Sequence, residues 1–154
     1  MIRVVEGSKS GSGLHIGIAV ASWNQGITDR LLQGAVDRLQ EMEVTEITIL
    51  RVPGALELPV AAKSLIASGC HAAIAIGTVV KGDTDHYDIV VRESTAGIAA
   101  VALETGVPVA NAVLAVHEYQ QALERAGEGR ANKGAEAAEA AVLSATAIRD
   151  LGGA

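Results

Sequence analysis

The chain has 154 residues, 49% of them apolar but only 2% aromatic, with no Phe and a single Trp. A chain of this length reads as one domain that buries roughly 70% of its unfolded surface, with a core of Ala, Val, Ile and Leu. A net charge of −6 without a basic, aromatic-rich patch argues against a nucleic-acid partner. The one cysteine, Cys70, excludes an internal disulfide or a cysteine-based zinc site.

Residues 1–13 are polar, and Gly7, Gly11 and Gly13 interrupt any regular pattern, so this stretch reads as a flexible arm or an edge strand rather than a signal segment. Residues 14–154 read as a single domain. No apolar run approaches the length of a membrane span, and a cytoplasmic location is expected. Residues 14–21 (LHIGIAVA) form a short apolar run that predicts a buried strand. From Ile27 the period becomes helical: Ile27, Leu31, Ala35, Leu39 and Met42 recur on one face, with Asp29, Arg30, Asp37 and Arg38 mostly on the other. Residues 46–52 predict a second strand. Pro53-Gly54 turns the chain into a short helix over 57–68, which holds Pro59 in its first turn and stops at Gly69.

Residues 72–79 predict a third strand, and residues 86–105 a helix burying Ile89, Val90, Ala96, Gly97, Ala100 and Val101. Residues 107–114 predict the fourth strand, 117–126 a helix and 132–151 an Ala-rich terminal helix. Such alternation predicts a parallel sheet with helices on both faces, a flavodoxin-like three-layer α/β/α sandwich on four strands, with the arm as a candidate edge strand. The strand ends near residues 22, 52, 79 and 114 then share one edge, where open α/β sheets bind ligands.

The chemistry concentrates on that edge. Gly77-x-x-x-x-Gly82 fails as a P-loop because Asp83 stands where the motif needs Lys. Gly82-Asp83-Thr84 ahead of a helix reads equally as an anion cradle or as an ordinary N-cap loop. His86 is a general acid/base candidate or an exposed capping residue. Asp83, Asp85 and Asp88 invite a metal, but no second His or Cys stands at motif spacing. Trp23 is either a core indole or a stacking platform for a planar ligand. Glu57, at a helix start, either serves the dipole or receives ligand hydroxyls. Arg125 and Lys133 are either solvated cations paired with Glu124 and Glu136 or a phosphate clamp. Cys70-His71 looks like a nucleophile pair but precedes a strand, at the opposite edge, and reads as structural.

Six motifs occur in order: Trp23-Asn-x-x-Ile-Thr28, Val52-Pro-Gly-Ala-x-Glu57-x-Pro59, Gly77-x-Val-Val-Lys-Gly-Asp-Thr-x-His86-Tyr-Asp88, Pro108-Val-Ala-Asn-x-Val-Leu114, Gln121-Ala-x-x-Arg125-Ala-Gly and Asn132-Lys-Gly134. Together they resemble the 6,7-dimethyl-8-ribityllumazine synthase family over residues 14–142. The resemblance implies condensation of 5-amino-6-(ribitylamino)uracil with 3,4-dihydroxy-2-butanone 4-phosphate, releasing phosphate and water, with neither metal nor organic cofactor. It implies that Trp23 stacks on the pyrimidine, that Glu57 and the backbone of Gly54, Ala55 and Leu56 bind the ribityl chain, and that the backbone at Val79 and Val80 meets the uracil edge. Asp83 and Thr84 would cradle the phosphate with Arg125 and Lys133, and His86 would move protons.

The resemblance also implies pentamers, some of which pair or close into 60-subunit shells, with the site shared: Trp23, Glu57 and His86 from one subunit, Asn111, Arg125 and Lys133 from the next. Two positions depart from the family pattern. Ala115 follows Val113-Leu114 where Thr is common, and Asn111 stands where many members carry Phe. Two other activities fit the same fold: a non-catalytic flavin-binding or cage-forming protein, and an archaeal-type riboflavin synthase.

Overall fold

A computed structural model describes residues 1–152. Four parallel strands, β1 (His15–Ala21), β2 (Glu46–Val52), β3 (Ala72–Val80) and β4 (Val109–Val116), pair in the order β2-β1-β3-β4. The helices are α1 (Gln25–Glu41), α2 (Leu58–Ala67), α3 (His86–Thr105), α4 (Tyr119–Arg125) and α5 (Lys133–Leu151), with a 3₁₀ turn over Ala55–Glu57 leading into α2. This is the three-layer, flavodoxin-like sandwich. No helix is long and apolar enough to cross a membrane among the described residues.

The strand sequences assign the two faces. Ile16, Ile18 and Val20 of β1 and Ile74 and Ile76 of β3 pack with α1, α4 and α5 in the larger core cluster. The alternate residues are small: Ala19, Ala21 and Ala75 meet Leu58, Ala61 and Leu65 of α2 and Val90 and Ile98 of α3. Side chains alternate across a strand, so one run of sequence carries a bulky face and a small one. The small face lets α2 and α3 lie close to the sheet.

The apolar stripe of α1 lies as its period requires, with Ile27, Leu31, Ala35 and Leu39 fully buried. Arg38 departs from the expected polar face. It is buried between Glu41, at 3.1 Å, and Glu139 of α5, at 3.4 Å, because α5 packs along that side of α1. In α3, Val90 and Val101 are buried as expected, together with Ser94 and Ile98. Ile89, Ala96 and Ala100 are exposed instead. Helical spacing carries only one stripe to the sheet, and 90, 94, 98 and 101 occupy it.

The fourth strand starts and ends two residues later than the sequence pattern predicts. Pro108 has no N–H to give the ladder, and only its carbonyl joins β3, accepting from Ala73 N at 2.9 Å. β4 then follows β3 to its end, where Val80 pairs with Val116 and Lys81 N donates to Val116 O at 2.9 Å.

No strand forms in residues 1–13. Instead this segment lies along α5: Ser8 N donates to the buried Thr146 Oγ1 at 2.8 Å, and Gly7 sits against the backbone of Leu143. Gly11 N donates to Met42 O at 2.6 Å.

The tightest approach in the core joins α5 to α1. A Cβ added at Gly134 would overlap the Leu31 carbonyl, whereas one at Gly127 meets nothing within 4 Å. Gly134→Ala should therefore lower the thermal midpoint by about 6 °C, from roughly 1–3 kcal/mol of overpacking at 2–4 °C per kcal/mol. Gly127→Ala should leave it within about 1 °C. Calorimetry of the two variants checks this; equal shifts would contradict the packing described.

Candidate active site

The strand order reverses between β1 and β3, and the crevice outside their carboxyl ends is where this class of sheet binds ligands. Three connections meet there. Ser22 N donates to Val52 O at 2.8 Å and Trp23 N to Pro53 O at 2.9 Å, joining the loops after β1 and β2. Asn24 Nδ2 donates to Thr78 O at 2.9 Å, joining the first loop to β3.

These loops enclose a cavity of about 360 Å³, lined by Trp23, Gly54, Ala55, Leu56, Glu57, Val79, Val80 and His86, with Ala21, Asn24, Thr78 and Val90. The volume lies within the range of small-molecule sites. Eight of the site residues expected from the sequence thus converge in one chain.

Trp23 is 65% exposed, which removes the core-indole reading. Its ring lies over Gly54, where an added Cβ would stand 2.5 Å from Cε3 and 2.6 Å from Cζ3. Asn24, the next residue, holds a left-handed conformation at φ 62° and ψ 42°, one that Asn tolerates better than most residues. The Asn24–Thr78 bond holds this turn and with it the indole.

Glu57 closes a reciprocal turn: its N donates to Gly54 O and its Oε2 accepts from Gly54 N, both at 3.2 Å. The carboxylate is therefore oriented by its own loop, with the second oxygen available to a ligand.

His86 is the first residue of α3 and reaches the cavity from that helix start. Asp85 stands at the N-cap without a side-chain cap bond. The one local substitute is Thr84 Oγ1, which accepts from His86 N at 3.4 Å. Asp88 N donates to Asp85 O at 3.1 Å, so of the first-turn amides Tyr87 N is the one left to an anion or to water. Asp83 and Thr84 are both exposed beside the cavity rather than lining it.

The remaining expected residues lie elsewhere. Asn111 sits in mid-β4 opposite Ala75, about 16 Å along the sheet from the Val80 end at roughly 3.3 Å per residue. With Lys133 it lines a separate cavity of about 410 Å³. Its Oδ1 accepts from Val113 N at 2.8 Å. Arg125 lines a third recess of about 250 Å³ with Ala115, Val116, His117 and Gln121.

Both cations have neighbours. Arg125 Nη1 donates to Gln121 O at 2.9 Å and lies 3.9 Å from Glu124, and Lys133 is 2.7 Å from Glu136. These pairs are exposed, and such pairs hold a side chain only weakly.

Two other sequence candidates resolve. Cys70 is buried, and burial pushes its thiol up from the ordinary value, away from the nucleophilic thiolate. His71 Nδ1 accepts from His15 N at 2.9 Å, at the opposite edge from the cavity. Among the described residues no group of three His, Cys, Asp or Glu side chains is placed to hold a metal ion.

Sequence reasoning did not assign roles to Asn24 or Thr78. The signal for Asn24 was present, since Asn directly before a helix is a turn residue. Thr78 carried none, because its contribution includes the backbone carbonyl of a buried strand.

A doubly wound parallel sheet with an indole, a turn-bound carboxylate and an imidazole around its switch-point crevice defines an α/β protein with a small-molecule site. The model of the 6,7-dimethyl-8-ribityllumazine synthase family matches residues 13–149. Three proteins bearing that name are similar over 97% of this chain. That of Thermococcus onnurineus is 44% identical with 99% of its length covered, that of Thermococcus kodakarensis 42% with 96%, and that of Thermococcus gammatolerans 42% with 97%. The chain belongs to the 6,7-dimethyl-8-ribityllumazine synthase family.

Gly54 is extended at φ −139°, so Gly54→Ala strains no backbone and acts on the site chiefly through the indole, with the Glu57 carboxylate 3.3 Å from the added Cβ. Fluorescence reads this directly, because Trp23 is the one tryptophan. The emission should move to longer wavelength with an unchanged far-UV circular dichroism spectrum. Unmoved emission would mean that the indole does not rest on Gly54.

Proposed function

We propose that this chain condenses 5-amino-6-(ribitylamino)uracil with 3,4-dihydroxy-2-butanone 4-phosphate to 6,7-dimethyl-8-ribityllumazine, and that the cavity at the ends of β1, β2 and β3 is the pyrimidine half of the site. The observation that carries the reading is the convergence of Trp23, Glu57 and His86 there, in a chain whose family carries out this reaction.

The chemistry uses what the cavity offers. The 5-amino group attacks the butanone carbonyl and water leaves, forming an imine. Loss of the phosphate leaves an enol, which tautomerises to a second carbonyl. The ribitylamino nitrogen closes on that carbon and a second water departs. Each stage needs positioning and proton transfer rather than a strong nucleophile. Trp23 stacks on the pyrimidine, Glu57 and the Gly54–Leu56 backbone receive the ribityl hydroxyls, and Val79 and Val80 present backbone to the uracil edge. His86, beside the reacting carbons, moves the protons. Asp83 and Thr84 hold the phosphate through backbone N–H groups and a hydroxyl.

The phosphate also needs fixed positive charge, and Arg125 supplies it as a planar fork with Lys133 as a second cation. These residues and Asn111 lie away from the cavity in the single chain. We propose that they complete the site of a neighbouring subunit in a homo-oligomer, as in the pentameric and shell-forming assemblies. The outer stripe of α3 supports this. Ala96, Ala100 and Leu103 form an exposed apolar line, with Leu103 at 87% exposure, and Ile89 is exposed beyond the Arg92–Glu93 pair; exposed apolar surface of this kind marks an interaction site.

Mixing purified protein with both substrates tests the activity, with lumazine fluorescence and phosphate release as readouts. A rate no higher than the uncatalysed condensation would contradict it. Arg125→Ala should raise the KM for the butanone phosphate about tenfold or more, since a charged hydrogen bond contributes roughly 1.5–3 kcal/mol. The pyrimidine KM should stay nearly constant, and equal effects on both would end the phosphate role. His86→Ala should cut kcat by about 100-fold or less, the low end for general acid–base catalysis, while pyrimidine binding persists in calorimetric titration. Lost binding would make His86 structural.

A further inference from the structure

We infer that Asn132 is a positioning residue that holds Arg125 and Lys133 in one fixed relation to each other. This rests on the phosphate role proposed above for those two cations. Neither is fixed by its own ion pair, because both pairs lie on exposed side chains. Their placement must come from the backbone that carries them.

Asn132 is 3% exposed, at the junction of the α4–α5 loop with α5. Its Oδ1 accepts from Gly134 N at 2.8 Å and Ala135 N at 3.2 Å, capping the helix whose first residue is Lys133. Its Nδ2 donates to Gly127 O at 2.8 Å, two residues beyond Arg125, and to Arg30 O of α1 at 3.2 Å. Its backbone N donates to Gly129 O at 3.2 Å. One carboxamide thus links the segment carrying Arg125, the segment carrying Lys133 and the body of the domain.

The cap alone does not call for Asn. Ser and Asp cap helices about as well. What neither supplies is the NH₂ group that serves two carbonyls at once. With an aspartate in its place, both carbonyls would face a carboxylate oxygen. Glycines beside it leave room for this amide. A Cβ added at Gly34 would overlap the Asn132 side chain, and one at Gly134 would overlap the Leu31 carbonyl. Asn132 is buried beneath the loop and is not among the residues that line the recesses of Arg125 or Lys133. It acts through the cations and not on the phosphate itself.

The test is steady-state kinetics at 25 °C on Asn132→Ser and Asn132→Asp, both of which keep the cap acceptor. Each should raise the KM for the butanone phosphate about tenfold, below the hundredfold that an ångström of misplacement can cost. The pyrimidine KM and kcat should stay within about twofold. The double variant Arg125→Ala/Asn132→Ser should have a phosphate KM below the product of the two single effects, because part of the Asn132 effect acts through Arg125 and residues acting through one another are not additive. Parallel changes in both KM values, no change in either, additive effects in the double variant, or failure of both single variants to fold would each overturn the inference. The phosphate reading fails separately: Arg125→Ala would then leave the phosphate KM unmoved. If Arg125→Ala moves it and the Asn132 variants do not, only the positioning role falls.

Discussion

Parallel pairing of β1 with β2 on one side and β3 on the other is the constraint from which the site follows. It brings Ala21, Val52 and Val80 out at the same edge, and each connection leaving that edge must cross the same crevice. Three hydrogen bonds then fasten the connections to one another: Ser22 to Val52, Trp23 to Pro53, and Asn24 to Thr78. The indole, the turn-bound carboxylate and the imidazole follow three different strands, and these bonds tie the connections after β1 and β2 to each other and to β3. That arrangement suits a reaction whose main demand is orientation.

The residues proposed to bind the phosphate depend on a different contact, the close approach of α5 to α1. Gly34 and Gly134 remove the side chains that would keep the two helices apart, and Asn132 fills the remaining space with hydrogen bonds. The residues of the proposed site thus line separate cavities of one chain, Trp23, Glu57 and His86 at the ends of β1–β3, and Arg125, Lys133 and Asn111 along β4 and at its end. We propose that a neighbour of the same sequence brings them together.

Most of the architecture was legible in the sequence because the strands carry it in their own alternation. Ile16, Ile18 and Val20 against Gly17, Ala19 and Ala21 announces a strand buried on both faces. The misplaced end of β4 has a simple cause: the pattern continues through Pro108, and only pairing with β3 shows that the ladder begins after it and runs to Val116. For α3, periodicity found an apolar helix but could not say which of its two apolar stripes meets the sheet. Ile89, Ala96 and Ala100 went to the wrong one. The residues that line the cavity at the ends of β1–β3 were legible as motifs at strand ends. Asn24 was quoted within a motif without a role, since its work is done through a backbone carbonyl 54 residues away.

Whether a complete site needs two subunits is tested most directly by complementation. Glu57→Ala damages the pyrimidine half and Arg125→Ala the anion half. The two variants are unfolded together, reassembled as a mixture, and assayed with both substrates below their Michaelis constants. A shared site predicts that the mixture recovers activity neither variant shows alone, because some interfaces then pair an intact Glu57 with an intact Arg125 from the neighbour. A mixture no more active than the average of the two separate variants would contradict it and place the whole site within one chain.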